Sequence, residues 1–305
     1  MITKILKILL ENNTMSQRKI SEYLDISLGS VNKYLNQAIE QDLLLKEVIS
    51  YRKTKYTLTE AGRKSIKDEG VSTAVILIAG KSKDFEVSVG QLEVGKETLI
   101  ESHIKKLRAC KIKRIILIVG FNKEYFINLK KVYNDIEIIE NKNYKNTGNM
   151  YSLYLARNQI QEDFLLIDGD IVYEKNIIKN ILDNKQKNIS VITKVLKNTQ
   201  DTLYTDIENE RLVGLSKDKY SLQNISGQLV GISKIQYKFF LKMIEKFSKI
   251  NNSLYFYEYF FIDKTIFDNF YCLKMDNLIW GEIDNKKQYK HILDNILPKL
   301  MEGKN

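Results

Sequence analysis

The chain has 305 residues, 44% of them hydrophobic and 28% charged, with a net charge of +10 and a pI near 9.2. That length buries a large core and leaves room for two domains, while no apolar run reaches the roughly 18–20 residues of a membrane span. Two distant cysteines, Cys110 and Cys272, lack metal-ligand spacing, and two histidines, His103 and His291, leave little material for a histidine metal centre or a Ser-His-Asp triad. The excess of cations favours polyanionic partners such as nucleic acid or nucleotides. The opening MITKILKILLENN is amphipathic, without the unbroken apolar block and cleavage site of a signal peptide, so the expected location is cytoplasmic.

Residues 1–70 read as one unit. ITKILKILLEN places its apolar residues on one helical face, and SQRKISEYLDI does so again behind Ser16, an N-cap residue type. A break at ISLGS precedes a third helix, SVNKYLNQAIEQDLL. LLLKEVISYRKTKYTLT then reads as two alternating strands around the basic tip Arg52, Lys53 and Lys55. This layout is a winged helix-turn-helix. Its third helix would present Ser27, Ser30, Asn32 and Lys33 to a major groove, while Lys53 and Lys55 meet phosphates. The unit carries 12 Lys/Arg against 9 Asp/Glu, a modest +3, and a protein-interaction or dimerisation module fits the same layout. Winged-helix proteins that read DNA commonly pair, which leaves a homodimer open.

The pattern changes at residue 71. TAVILIAG, KRIILIVG, DIEIIEN and DFLLIDGD read as strands, and TLIESHIKKLRAC, NKEYFINLKKVY, GNMYSLYLARNQI and KNIIKNILDN as the helices between and after them. Such alternation predicts an α/β fold with a mainly parallel sheet covered on both faces. Ligands of these sheets bind beyond the carboxyl ends of the strands, which places Gly80, the Gly148–Tyr151 region, Asp168 and Asp170 on one rim.

The series AVILIAG, TLIESHIKKL, IILIVGF, IIENKNYKNTGNMYSLYLA, FLLIDGDIVYE and WGEIDN resembles the CTP-dependent nucleotidyltransferases, in particular the phosphocholine and 2-aminoethylphosphonate cytidylyltransferases. The likeness covers residues 73–297, within a nucleotidyltransferase domain expected over 71–305. It implies a Rossmann-like mixed sheet, transfer of CMP from CTP to a small zwitterionic phospho- or phosphono-amine, and Mg²⁺ held by Asp170 and Asp284. Paired carboxylates suit that chemistry, because attack on the α-phosphorus brings anions together and builds charge on pyrophosphate. Asp168 either orients the loop or a metal-bound water, or merely ends a solvated strand.

AGKSKDFEVSVGQLEVGKETLIE departs from the family's glycine-rich signature. Ser82 stands where the second glycine belongs, no arginine follows, and Ser88 and Val89 occupy the proline-lysine positions. Lys81 and catalytic Lys83 can supply the missing charge while the backbone from Ala79 and Gly80 to Ser82 cradles phosphate. For the acceptor, Trp280 and Glu282 offer an aromatic face and a carboxylate to an ammonium group. Asn149 and Tyr151 line the pocket by the resemblance, and Lys217 or Lys219 meets the acceptor phosphate. FYEYFFID, residues 256–263, reads as core. The alternative to an enzyme is a transcription regulator whose degenerate nucleotidyltransferase domain senses a nucleotide or an amine metabolite.

Overall fold

The computed structural model describes residues 1–51, 53–65, 70–195, 202–266 and 269–302. The chain divides into two compact units, Met1–Gly70 and Val71–Asn305.

In the first unit, α1 (Ile2–Glu11), α2 (Gln17–Leu24) and α3 (Leu28–Glu40) pack around Ile5, Leu6, Leu9, Ile20, Val31 and Leu35. Ser16 and Ser27 fix the starts of α2 and α3 by accepting from the N–H groups of Lys19 and Ser30, which satisfies donors that a helix start leaves open. Strands β1 (Leu44–Ser50) and β2 (Lys53–Leu58) form an antiparallel hairpin; Leu44, Tyr56 and Leu58 anchor it to the helices, and the remainder of β1 is exposed. A short helix, α4 (Glu60–Ser65), follows. This is a winged helix-turn-helix. Asn32 and Lys33 are exposed on α3, Ser30 is half-buried with its hydroxyl 2.8 Å from that of Ser27, and Lys55 pairs with Glu47 across the hairpin. Arg52 and the side chain of Lys53 lie outside the described residues.

Among the described residues the second unit is built on a nine-stranded mixed sheet. In chain order its elements are β3 (Thr73–Ile78), α5 (Leu99–Ala109), β4 (Arg114–Val119), α6 (Lys123–Leu129), β5 (Ile136–Glu140), α7 (Asn149–Leu155), β6 (Phe164–Asp168), β7 (Ile171–Tyr173), α8 (Asn176–Asp183) and β8 (Ile189–Thr193). There follow β9 (Tyr204–Glu208), β10 (Arg211–Ser216), β11 (Gly227–Ile235), α9 (Tyr237–Phe247), β12 (Tyr271–Lys274), β13 (Trp280–Glu282), α10 (Lys286–His291), a π turn at Ile292–Ile296 and α11 (Leu297–Glu302). The strand order is β5-β4-β3-β6-β11-β8-β12-β10-β9. Neighbours from β5 to β6 are parallel, and β11 enters antiparallel between β6 and β8.

The central parallel strands β3, β4 and β6 carry nearly uninterrupted apolar runs because both of their faces are covered, whereas β5 at the sheet edge, IEIIE, is only half-buried. Along β3, Ala74, Ile76 and Ile78 face one core with Leu117 and Ile167, while Val75 faces the other with Ile116, Met150 and Phe240. The short ladder of β7 with β13 stands apart from the main sheet, with Glu282 opposite Ile171 and Trp280 opposite Tyr173. Among the described residues no helix is long and apolar enough to cross a membrane.

Candidate active site

A cleft of about 850 Å³ opens at the carboxyl ends of β3 and β6, lined there by Ala79, Gly80, Asp168 and Asp170. Strand β6 ends at Asp168, and Gly169 and Asp170 form the turn that follows. The glycine is required by close approach. Its N–H donates to Leu77 O at 2.8 Å, and a Cβ at that position would stand 2.4 Å from Ile78 Cδ1. The tight turn sends the two aspartates to different surroundings.

Asp170 is joined by the ladder to β13, where the N–H of Ile283 donates to Asp170 O at 2.9 Å. Glu282 and Asp284 flank Ile283, whose side chain is fully buried, and extended backbone puts those flanking residues on the opposite face. One carboxylate oxygen from each of Asp170, Glu282 and Asp284 lies within 4.8 Å of the others. Three anions this close repel unless a cation shares them, and an all-carboxylate oxygen set suits a hard divalent ion such as Mg²⁺. Gln288 aims Asp284: its Nε2 donates to Oδ2 at 2.9 Å, and its Oε1 accepts from the Asp284 N–H at 2.6 Å.

Asp168 points into the wall of the cleft. The Tyr257 hydroxyl donates to its carboxylate, 3.1 Å from each oxygen, and Gly231 packs against it. Gly231 has φ +83°, and a Cβ there would meet Asp168 Oδ2 at 2.5 Å, so only glycine fits. Glu258 is its buried neighbour. The Asn149 amide donates to both Glu258 oxygens at 3.0 Å, and Asn149 Oδ1 accepts from the Tyr257 N–H. Burial pushes the Glu258 carboxyl up to about 7. Burial, and then the charges of Glu258 and Asp170, raise that of Asp168 well above the usual range.

His103, on α5, braces the aspartate turn from behind. Its Nε2 lies 3.3 Å from Gly169 O and its Nδ1 3.0 Å from the Tyr173 hydroxyl. A carbonyl only accepts, so Nε2 carries the proton and Nδ1 accepts from Tyr173. Burial, reinforced by Lys106, lowers the His103 pKa to about 3. The unfolded chain takes up this proton below pH 6.5 and the folded chain only near 3. Stability is therefore complete above 6.5 and declines as pH falls through that window, by at most on the order of 5 kcal/mol. Urea midpoints at pH 7.5 and 5 should converge for wild type and His103→Gln at the lower pH; a constant gap would refute this.

The other expected residues fall in three places. Ala79 and Gly80 line the cleft, as do Asn149, Trp280, Glu282 and Lys217. Lys81 sits with Nζ 4.7 Å from the Phe121 ring, Ser82 donates to Asp284 O, and Lys83 is exposed outside the cleft lining. Tyr151 packs into the core, and Lys219 lies over Tyr220 outside the lining, so Lys217 is the lysine of that segment that reaches the cleft. Lys194 and Lys299 are further cations in the lining. The 256–263 stretch is core through Tyr257, Phe260 and Phe261, but Phe256, Glu258 and Tyr259 line the cleft. It forms a 3₁₀ turn, whose three-residue period puts Phe256 and Tyr259 on one side. A lone carboxylate inside an aromatic run was the available signal.

Residues 74–217 match the MobA-like NTP transferase domain, and residues 2–44 match the winged helix-turn-helix DNA-binding family. A "Bifunctional protein GlmU" of Methanococcus aeolicus is 31% identical over 55% of this chain and 41% of its own length. The choline-phosphate cytidylyltransferase of Streptococcus pneumoniae is 36% identical over 30% of this chain and 39% of its own. The chain thus spans about two fifths of the length of these curated relatives. The inositol-1-phosphate CTP transferase structure from T. maritima superposes with a TM-score of 0.64 at 18% identity, covering 77% of this chain and 98% of that one.

Proposed function

We propose that this chain, which carries a MobA-like NTP transferase domain behind a winged helix-turn-helix, is a divalent-cation-dependent cytidylyltransferase. Its acceptor is a small phospho- or phosphono-amine, of the class that includes phosphocholine and 2-aminoethylphosphonate. The reading rests on one observation: Asp170, Glu282 and Asp284 converge in a cleft whose wall also holds the buried Glu258 beside Phe256 and Tyr259.

The three carboxylates would hold Mg²⁺, which supplies charge neutralisation at the α-phosphate and at the departing pyrophosphate. The chain's own groups do the rest. Glu258, fixed by Asn149, receives the ammonium end of the acceptor, with the rings of Phe256 and Tyr259 beside it. Lys217 faces the same region, its Nζ 5.3 Å from the Phe256 ring, and meets the phosphate or phosphonate end. That oxygen attacks the α-phosphorus of CTP; the new P–O bond forms as the bond to the bridging oxygen breaks and pyrophosphate leaves. Cations for the triphosphate come from Lys194 and Lys299 of the lining, since Lys81 rests on Phe121.

Pyrophosphate release from CTP and Mg²⁺, assayed with and without each acceptor, tests the proposal. Acceptor-dependent release is expected. Tight binding of CTP or an amine without release would instead favour the regulator that senses a metabolite, a reading supported by the position of Lys81.

The N-terminal unit binds DNA through the exposed Asn32 and Lys33 of α3. Partners such as a nucleoside triphosphate and DNA support a cytoplasmic location for the proposed function. Lys33→Ala should lower the slope of log K against log salt for a duplex by about 0.9, the value of one lost phosphate contact. An unchanged slope would mean that Lys33 meets no phosphate.

A further inference from the structure

The serine that replaces the family's glycine makes a bond that no glycine could. Ser82 donates its hydroxyl to the backbone carbonyl of Asp284 at 2.7 Å, across 202 positions of sequence. Asp84, two residues on, accepts from the Lys286 N–H at 3.0 Å and donates its own N–H to Ser82 Oγ at 3.3 Å. The loop from Lys81 to Asp84 is therefore fastened at two points to the segment that begins with one member of the carboxylate triad. Gln288 fixes the other side of that segment through the Asp284 side chain and N–H. The Asn285 side chain in turn accepts from the Gln288 N–H.

We infer that Ser82 is a positioning residue for Asp284, and that Ser82 and Asp84 together latch the loop beside Gly80 to the carboxylate triad. The inference rests on the metal-site reading proposed above and adds a specific device to it. A glycine-rich loop gains its grip on phosphate from backbone freedom. Here that freedom is exchanged for a fixed triad, since the loop leaves its place only by breaking both bonds to Asp284 and Lys286.

The test uses Mn²⁺ alone as probe, titrated into the full chain and followed by the loss of the free-ion electron paramagnetic resonance signal. Wild type should bind Mn²⁺ and Asp284→Asn should not. Ser82→Ala should weaken binding about fivefold, the value of one hydrogen bond. Ser82→Thr, which keeps the hydroxyl, should recover most of the loss, and Glu86→Gln, exposed on the same loop, should match wild type. Equal affinities in wild type and Ser82→Ala overturn the latch and leave the metal site standing, as does a loss that threonine fails to recover. A wild-type chain that binds no Mn²⁺ overturns the metal site and the latch together.

Discussion

Asp170→Asn is expected to lower kcat/KM for pyrophosphate release by a factor on the order of 10³, with the fold retained. The substitution keeps the size of the side chain and removes one of three charges that share a 4.8 Å neighbourhood. A carboxamide offers a neutral oxygen where the ion needs an anionic one, and the developing charge on pyrophosphate then lacks its counter-charge. A factor of 10³ corresponds to about 4 kcal/mol of transition-state stabilisation. Unchanged circular dichroism with turnover lost is the expected pair of measurements. Turnover within tenfold of wild type would separate Asp170 from the chemistry.

Glu258→Gln should raise the KM for the acceptor by a factor on the order of 10–100 and leave that for CTP nearly unchanged. Glu258 is 7% exposed, so its charge faces any ammonium group with little water between them. Its two oxygens are held by Asn149 in one orientation, and glutamine would put an N–H₂ where one oxygen accepts. The effect should be larger for a primary ammonium, which donates hydrogen bonds to a carboxylate. A quaternary ammonium has no donors and relies more on ring faces, so Phe256→Ala should penalise phosphocholine more than aminoethylphosphonate. Equal rises for CTP and acceptor in Glu258→Gln would mean a deformed cleft and not a lost receptor.

Much of this architecture is legible in the sequence, and for a definite reason. AVILI, IILIV and FLLI, which make up all but one end residue of each strand, are apolar at every position because helices cover both faces of the parallel strands, so they cannot be mistaken for half-exposed edges. The winged helix is legible through Ser16, which caps the helix that follows it; Ser27, read from sequence as a groove contact, instead uses its hydroxyl to cap α3. The other half of the sheet, antiparallel except for the parallel pair of β8 with β12, is not legible, because its strand order depends on contacts far apart in sequence.

Within the site, the pair Asp170 and Asp284 comes from a motif, and the structure brings the two together. Glu282 reads from sequence as a partner of Trp280, because no local pattern reveals a three-residue ladder between β7 and β13. The ladder is what moves Glu282 to the side of Asp170. Glu258 is hidden by its neighbours, since Tyr257, Phe260 and Phe261 fill the core and give the stretch the composition of a buried element. Lys217 and Lys219 are equivalent in sequence, and only the turn at Lys219–Ser221 separates the one that lines the cleft from the one that does not.

The pairing of β7 with β13 also sets a schedule for synthesis. Strands β3, β4, β5 and β6 are neighbours in the sheet and are all complete in sequence by residue 168, so the strands that carry the rim beside Gly80 are synthesised first. A chain of that length cannot yet grip an ion, because two of the three carboxylates arrive more than a hundred residues later. On the proposed function, a partly translated copy would thus lack the means to cleave a nucleotide.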